Sequence, residues 1–217
     1  MTRTTTTRSF VPHGRLLWAL TPDAVLSEEA SDATVSGLWG SVTLHSPPEV
    51  TLEALRRMTL GPVALENVDD LRQDFLGWST ESEAGCRTWS SVKEALNALG
   101  GYVVPSLALH DGLSPVMSMP ATSLDRSFQV PYADPRTSVQ LADGATITDD
   151  GTIFTLSAPD RASKALLYRW PAKDVVQAIA EAPGNATQIA ATSRINSGLV
   201  HDVISLLLAA ELLRVKE

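Results

Sequence analysis

Four histidines could supply acid–base chemistry or metal ligands: His13, His45, His110 and His201. A metal site needs several ligands that converge on one point, and motifs such as HxxxH place two imidazoles on one helix face. The four histidines are scattered along the chain and form no such motif. We therefore interpret them as ordinary surface or partly buried residues, and the sequence predicts no metal site.

Cysteine chemistry depends on one residue, Cys86, which precedes Arg87 in a polar stretch. A neighbouring cation can make a thiol more acidic and more nucleophilic. No histidine lies close to it in the sequence, so we interpret Cys86 as a free structural cysteine. A chain with one cysteine forms no internal disulfide, which is typical of a reducing compartment.

Carboxylates and loop motifs give no better catalytic candidate. The acidic cluster Glu66, Asp69 and Asp70 falls at a predicted helix start, where the helix dipole favours negative charge. The chain contains neither phosphate-binding pattern, GxGxxG or GxxxxGK(S/T), and it has no GxSxG nucleophile motif. The sequence therefore predicts no catalytic, cofactor-binding or metal-binding residue, and any enzyme activity would need a partner.

Aromatic and sulfur-containing residues suggest contacts instead of catalysis. The five tryptophans are Trp18, Trp39, Trp78, Trp89 and Trp170. All but Trp39 stand beside apolar residues and are predicted to lie in the core. Trp39 falls in a predicted turn, LWGS, where an exposed ring would mark a contact surface. Met117 and Met119, in the stretch LSPVMSMP, are further candidates for partner contact, since interface cores are enriched in Trp and Met. The alternative is that these residues fold back onto their own domain.

Short strands and helices must position these residues in the first half of the chain. Alternating apolar residues predict strands at 15–20, 24–28, 33–38, 41–45 and 102–107. Helical spacing predicts helices at 51–58, 68–78 and 88–99. Gly100-Gly101 ends the last of these helices.

The second half has clearer turn signals. Strands are predicted at 137–141, 145–148 and 152–156, with Asp143-Gly144 and Asp150-Gly151 in the turns between them. Helices are predicted at 161–169, 171–182 and 197–210, with a short helix or loop at 185–196. We expect Ser197 to cap the last helix.

These elements divide the chain into four segments. Residues 1–14 form a predicted disordered tail, and residues 15–107 form a first unit. The connector, residues 108–136, contains Pro115, Pro120, Pro131 and Pro135 and shows no helical or strand period. Residues 137–217 form a second unit.

The two units resemble each other at a fixed offset. Ala33-Thr34-Val35 is followed 112 positions later by Ala145-Thr146-Ile147, and Thr43-Leu44 by Thr155-Leu156 at the same offset. Internal repeats indicate architecture more directly than any single element does. We therefore expect an α+β fold of two tandem winged-helix-like units, each with a short β-hairpin sheet and three helices, that superpose on each other.

Composition excludes several classes of function. The net charge of −8 argues against nucleic-acid binding, which depends on Lys and Arg contacts to phosphate. No apolar run is long enough to span a membrane. The amino terminus lacks the apolar region of a secretory signal. We expect a cytoplasmic protein.

The second unit resembles a known family. The stretch VQLADGATITDDGTIFTLSAPDRASKALLYRWPAKDVVQAIAEAP, followed by LVHDVISLLLAAELLRV, is similar to the N-terminal region of SagB-type azoline dehydrogenases. Those flavoenzymes oxidise azolines to azoles in ribosomally made, post-translationally modified peptides. The region also looks like the winged helices that bind leader peptides in such pathways. Glu211 stands where the family usually has Gly.

The family's flavin-binding nitroreductase domain, with its FMN contacts and catalytic Lys-Tyr pair, has no counterpart before Glu217. The resemblance therefore implies either an oxidase on a separate polypeptide or a stand-alone adaptor. We expect a non-catalytic subunit without its own cofactor, which binds a precursor peptide, an FMN-dependent dehydrogenase, or both. Two alternatives are a subunit that contributes residues to an interfacial flavin site and an acidic winged-helix regulator.

Strand addition is the expected mechanism of peptide binding. The predicted free edge is the strand at 152–156, and apolar residues of the last helix would line the groove. The peptide-binding candidates are Thr152, Ile153, Phe154, Thr155, Leu156, Leu199, Val203 and Leu206. The alternative for the apolar members is an ordinary place in the core.

Overall fold

The computed structural model describes residues 14–72, 87–111, 114–124, 126 and 133–216. Eleven strands lie in this part of the chain: β1 (Arg15–Leu20), β2 (Val25–Glu29), β3 (Asp32–Gly37), β4 (Gly40–Leu44), β5 (Val103–Ala108), β6 (Met117–Ser118), β7 (Val139–Leu141), β8 (Thr146–Asp149), β9 (Phe154–Ser157), β10 (Ala165–Leu167) and β11 (Leu213–Val215). The α-helices that lie wholly within these residues are α1 (Glu49–Leu60), α2 (Arg87–Leu99), α3 (Ala172–Glu181), α4 (Ala186–Ser193) and α5 (Ser197–Ala209). Short 3₁₀ turns occupy Leu65–Asn67 and Gly100–Tyr102.

A six-stranded antiparallel sheet runs through both halves in the order β1-β5-β6-β10-β9-β8. Strand β6 lies in the segment predicted to be an irregular connector, so that prediction is wrong at this point. Backbone hydrogen bonds from Val116 N to Leu107 O (2.7 Å) and from Met119 N to Pro105 O (2.9 Å) hold the segment against β5. A two-residue strand is too short to show a period in the sequence.

Two smaller antiparallel sheets complete the β structure. Strands β2, β3 and β4 form a meander, and β7 pairs with β11. The fold is therefore a mixture of helices and antiparallel sheets. Residues 1–13 of the predicted tail lie outside the described residues. Gly14 is buried, and its N–H donates to Asp202 Oδ2 at 2.7 Å.

Two apolar cores lie along the large sheet. The first core contains residues of α1 and α2, and the second contains residues of α3, α4 and α5. Strand β5 contributes Val103 to the first core and Leu107 to the second, and Leu16 of β1 packs against both. The sheet therefore joins the two halves into one structure.

Local sequence explains most helix boundaries. Helix α1 begins after Pro48 and ends before Gly61. The φ of Gly61 is 138°, a backbone conformation that glycine adopts readily and other residues rarely adopt. Asn185 and Gln188 form a reciprocal capping box at the start of α4. The cap of α5 is the side chain of Asn196, not Ser197 as predicted.

One predicted helix, at 161–169, is wrong. Residues 165–167 form β10 instead, with β9 on one side and β6 on the other. The sequence KALLYR has good helix formers, but pairing on both sides satisfies the backbone and overrides this preference. The predicted helices at 51–58, 88–99, 171–182 and 197–210 are confirmed by α1, α2, α3 and α5, while most of the one at 68–78 lies outside the described residues.

The hairpins β3-β4 and β8-β9 resemble each other in their side chains. Facing hydroxyl groups lie on the exposed face of the first hairpin, where Thr34 meets Thr43 at 3.0 Å and Ser36 meets Ser41 at 2.8 Å. In the second hairpin Thr146 meets Ser157 at 3.3 Å.

The turns of the two hairpins differ in length. Gly37 pairs with Gly40 across two intervening residues, whereas Asp149 pairs with Phe154 across four. A shift of two residues leaves every side chain on its original face, because the side-chain period of a strand is two. The two hairpins therefore keep the same alternation despite their different registers.

Candidate peptide-binding edge

The edge predicted for strand addition is not free. Strand β9 lies inside the large sheet, with Leu156 paired to Ala165 of β10 on one side and to Ile147 of β8 on the other. The predicted binding residues Phe154, Thr155 and Leu156 therefore belong to an interior strand. The prediction of a free edge at 152–156 is wrong because β10, which the sequence suggested to be helical, fills it.

The other two residues of that predicted edge lie in the hairpin turn. The N–H groups of Thr152 and Ile153 both donate to Asp150 Oδ1 at 2.8 Å. These two hydrogen bonds hold the pKa of Asp150 below its ordinary value, and the bond from Ile153 has the larger effect. The carboxylate thus fixes the turn.

The predicted groove residues of α5 are in the second core. Leu199, Val203 and Leu206 are all buried there. They pack among the other apolar residues of that half. This arrangement agrees with the alternative, an ordinary place in the core.

The predicted contact residues Met117 and Met119 are also in the second core, and both are 0% exposed. The predicted partner surface at these methionines is therefore wrong for the folded chain. A thioether that is enclosed by its own domain cannot contact a partner without local unfolding.

Trp39 is only partly exposed. The backbone N–H of Trp39 donates to the hydroxyl of Tyr102 at 3.2 Å, and the centroids of the two rings are 5.5 Å apart. The neighbouring Leu38 is the exposed residue of this turn, at 80%. The contacts with Tyr102 keep Trp39 partly buried. The sequence of the turn could not reveal this, because Tyr102 is distant along the chain.

Two of the other tryptophan predictions are confirmed and one is wrong. Trp18 and Trp89 are buried in the first core. Trp170 is 54% exposed, because it follows β10 in an irregular segment and not a buried helix. Trp78 lies outside the described residues.

The pairing of β10 with β9 has no equivalent among the described residues of the first half. Counted at the 112-residue offset, β4 corresponds to β9, with Thr43-Leu44 matching Thr155-Leu156. Within the described residues β4 pairs with β3 alone, and its other edge carries no strand. The outer edge of one hairpin is therefore filled by β10, while the matching edge of the other hairpin carries no strand among the described residues.

Strand β10 shows what an added strand looks like on such an edge. It runs antiparallel to β9, buries Ala165 and Leu167, and leaves Leu166 partly exposed. Backbone bonds from Thr122 N to Ala162 O (2.9 Å) and from Lys164 N to Pro120 O (3.1 Å) hold the segment that leads into it. A strand that pairs with this edge therefore needs small or apolar side chains at alternate positions.

One histidine forms a short contact with a carboxylate. His45 Nδ1 lies 2.8 Å from Asp32 Oδ2, and this hydrogen bond, followed by one from the N–H of Ser46, holds the pKa of Asp32 below its ordinary value. The imidazole side chain is 80% exposed. The Ser46 hydroxyl donates to Ser31 and not to the imidazole, so the group lacks the nucleophile–base contact of a catalytic triad.

Among the described residues, the other histidines and the acidic cluster either make structural contacts or are exposed. His201 Nε2 lies 2.7 Å from Ala133 O, and Glu66 pairs with Arg15 at 3.2 Å. His110, Asp69 and Asp70 are exposed. His13 and Cys86 lie outside the described residues.

No cluster of three or more metal-ligating side chains occurs among the described residues. None of the helices in this part of the chain is both long enough and apolar enough to cross a membrane. No protein-family model matches the chain, and no curated protein is similar to it in sequence. Within the described residues, the arrangement that stands out is the contrast between β4, whose outer edge carries no strand, and β9, whose corresponding edge is filled by β10.

Proposed function

We propose that this chain is a non-catalytic subunit of a peptide-modifying complex and binds an extended precursor peptide by strand addition. The observation that carries the proposal is the contrast between β4, which pairs with β3 alone among the described residues, and β9, whose matching edge is occupied by β10. An exposed edge presents unpaired backbone groups to which an extended peptide can bind.

The two halves are, in this proposal, tandem winged-helix-like units. Three shared features support it. Each half has a similar hairpin and, after it, a helix that precedes the last strand, α2 in the first half and α5 in the second. That last strand pairs antiparallel with the strand that lies before the hairpin, β5 with β1 and β11 with β7. The second unit is closed by its own β10, and the first unit takes the precursor peptide.

The dehydrogenase of the complex is a separate FMN-dependent subunit that oxidises azolines. The resemblance of residues 139–215 to the N-terminal region of SagB-type enzymes supports this part of the proposal, as does the lack of a catalytic constellation among the described residues. The present chain would then hold the peptide while the flavin subunit performs the chemistry.

A peptide-display library selected on the purified full chain tests the binding mode. Selected peptides are synthesised in two N-methylated forms, each blocking one alternate set of amides. Only alternate amides of an added strand face the sheet, so we expect one form to lose binding and the other to keep it. Amide hydrogen exchange should slow in β4 when the unmodified peptide is added.

Three outcomes would contradict the proposal. Equal binding of both N-methylated forms would show that the peptide is held by its side chains alone. Slower exchange confined to strands other than β4 would place the site elsewhere. A chain that selects no peptide above background would remove the proposed role.

A further inference from the structure

The outer strand of the large sheet, β8, is a second open edge with different chemistry. All four of its residues are exposed, and within the described residues it pairs only with β9. Ile147 lies opposite the buried Leu156 and is 38% exposed. A strand added here would cover one flank of Ile147 and extend the apolar layer of the second core.

Two other strand edges among the described residues, those of β1 and β7, are closed by short backbone contacts. At β1, Trp18 and Val63 exchange two hydrogen bonds of 2.8 Å. At β7, Val139 and Gly184 do the same at 2.9 and 3.1 Å. Strand β8 has no such bridge to any described residue, and its sequence TITD contains no proline or lysine of the kind that protects an edge.

Two carboxylates stand where β8 ends. Asp149 Oδ1 accepts the N–H of Gly151, and Asp150 Oδ1 accepts the turn amides, each at 2.8 Å. Neither carboxylate pairs with a cation in the described part of the chain, whereas Asp143, before β8, is held by Arg214 at 2.9 Å. One end of the edge therefore carries two carboxylates that form no ion pair among the described residues, while Lys173 Nζ lies over the ring of Phe154, the cross-strand partner of Asp149.

We propose that the β8 edge binds an extended peptide segment with arginine or lysine beside Asp149 and Asp150 and an apolar side chain beside Ile147. The open edge supplies backbone hydrogen bonds, and the two carboxylates select for positive charge. A second copy of this chain is a poor occupant, because each copy carries a net charge of −8 and brings its own acidic turn to the edge. This inference is independent of the role assigned to β4.

A labelled synthetic peptide tests the charge selection. The probe alternates threonine and valine with an arginine at each end, and the matched peptide has glutamate in place of both arginines. Fluorescence anisotropy with the full chain at low salt should show binding of the arginine peptide only. Because exposed ion pairs are screened by ions, added salt should weaken this binding.

The double variant Asp149→Asn/Asp150→Asn tests the site. Asparagine keeps the oxygen that accepts the turn amides, so the hairpin remains while the charge is lost. We expect the affinity for the arginine peptide to fall about two- to thirtyfold. The control variant Asp69→Asn/Asp70→Asn makes the same change of charge at exposed positions in the first half and should leave the affinity unchanged.

Hydrogen exchange locates the bound peptide. Slower exchange at residues 146–149 would support the proposal. Equal binding of the glutamate peptide, equal weakening by the control variant, or slower exchange at β4 alone would overturn it. Dimerisation that depends on concentration in light scattering and is abolished by adding a proline to β8 would assign the edge to a second copy instead.

Discussion

At the scale of single residues, Tyr102 is the side chain that connects the first hairpin to the rest of the chain. It is fully buried, its hydroxyl donates to the carbonyl of Gly40 at 2.8 Å, and the same oxygen accepts the N–H of Trp39. The turn of β3-β4 is thereby held against the segment between α2 and β5. One phenol thus explains why Trp39 turns inward.

The variant Tyr102→Phe should destabilise the fold by about 1–3 kcal/mol, because both backbone groups lose a buried partner. Urea denaturation followed by circular dichroism measures this change. Tyr168→Phe is the matched control, since that ring is exposed, and it should change the free energy of unfolding by no more than about 0.5 kcal/mol. An equal effect of the two variants would contradict the role given to Tyr102.

At the scale of elements, the sequence predicted those whose signal is local. Helix α1 and hairpin β8-β9 follow from apolar spacing and from the Asp-Gly turns. Strands β6 and β10 did not follow, because two or three residues carry no period and their pairing is decided by distant strands. The open and filled edges cannot be predicted for the same reason: an edge is defined by what lies beside it, and the sequence predicts a helix where β10 lies.

The shortest of the described strands, β6, connects the strands of the first half to those of the second half within the large sheet. It pairs with β5 on one side and β10 on the other, and its Met117 is enclosed by the second core. The variant Met117→Ala should cost about 2–5 kcal/mol of stability, since it leaves a cavity in that core.

Thermal or urea unfolding of the Met117→Ala chain measures this cost. Val215→Ala removes apolar atoms at an exposed position and should have little effect. A Met117→Ala chain as stable as the parent would indicate that the thioether lies at the surface, where partner contact was first expected.

At the scale of the whole molecule, one sheet serves two cores. Strand β5 supplies buried side chains to each of them, and Leu16 packs against both. A substitution that destabilises one core is therefore expected to destabilise the other core as well. The predicted division into two units and a connector describes the sequence better than it describes the packing.

The variant Val203→Ala tests this coupling. It removes two buried carbons from the second core and should cost about 2 kcal/mol. Trp18 and Trp89 lie in the first core, so tryptophan fluorescence reports on that half once Trp170 of the second half is replaced by phenylalanine in both chains. We expect the fluorescence and circular dichroism midpoints to coincide and to shift together. A fluorescence transition that stays in place while circular dichroism shows two steps would mean that the halves unfold separately.

The pairing of β1 with β5 also bears on how the nascent chain is made. Arg15 is matched with Ala108, so the partner of the first strand is synthesised long after it. At about 5–20 residues per second, a ribosome needs about 5–20 s to add the intervening chain. During that time RLLWAL has no strand beside it, while the β2-β3-β4 meander can close within its own neighbourhood. We therefore expect the segment around Trp18 to be where a ribosome-associated chaperone first engages this protein.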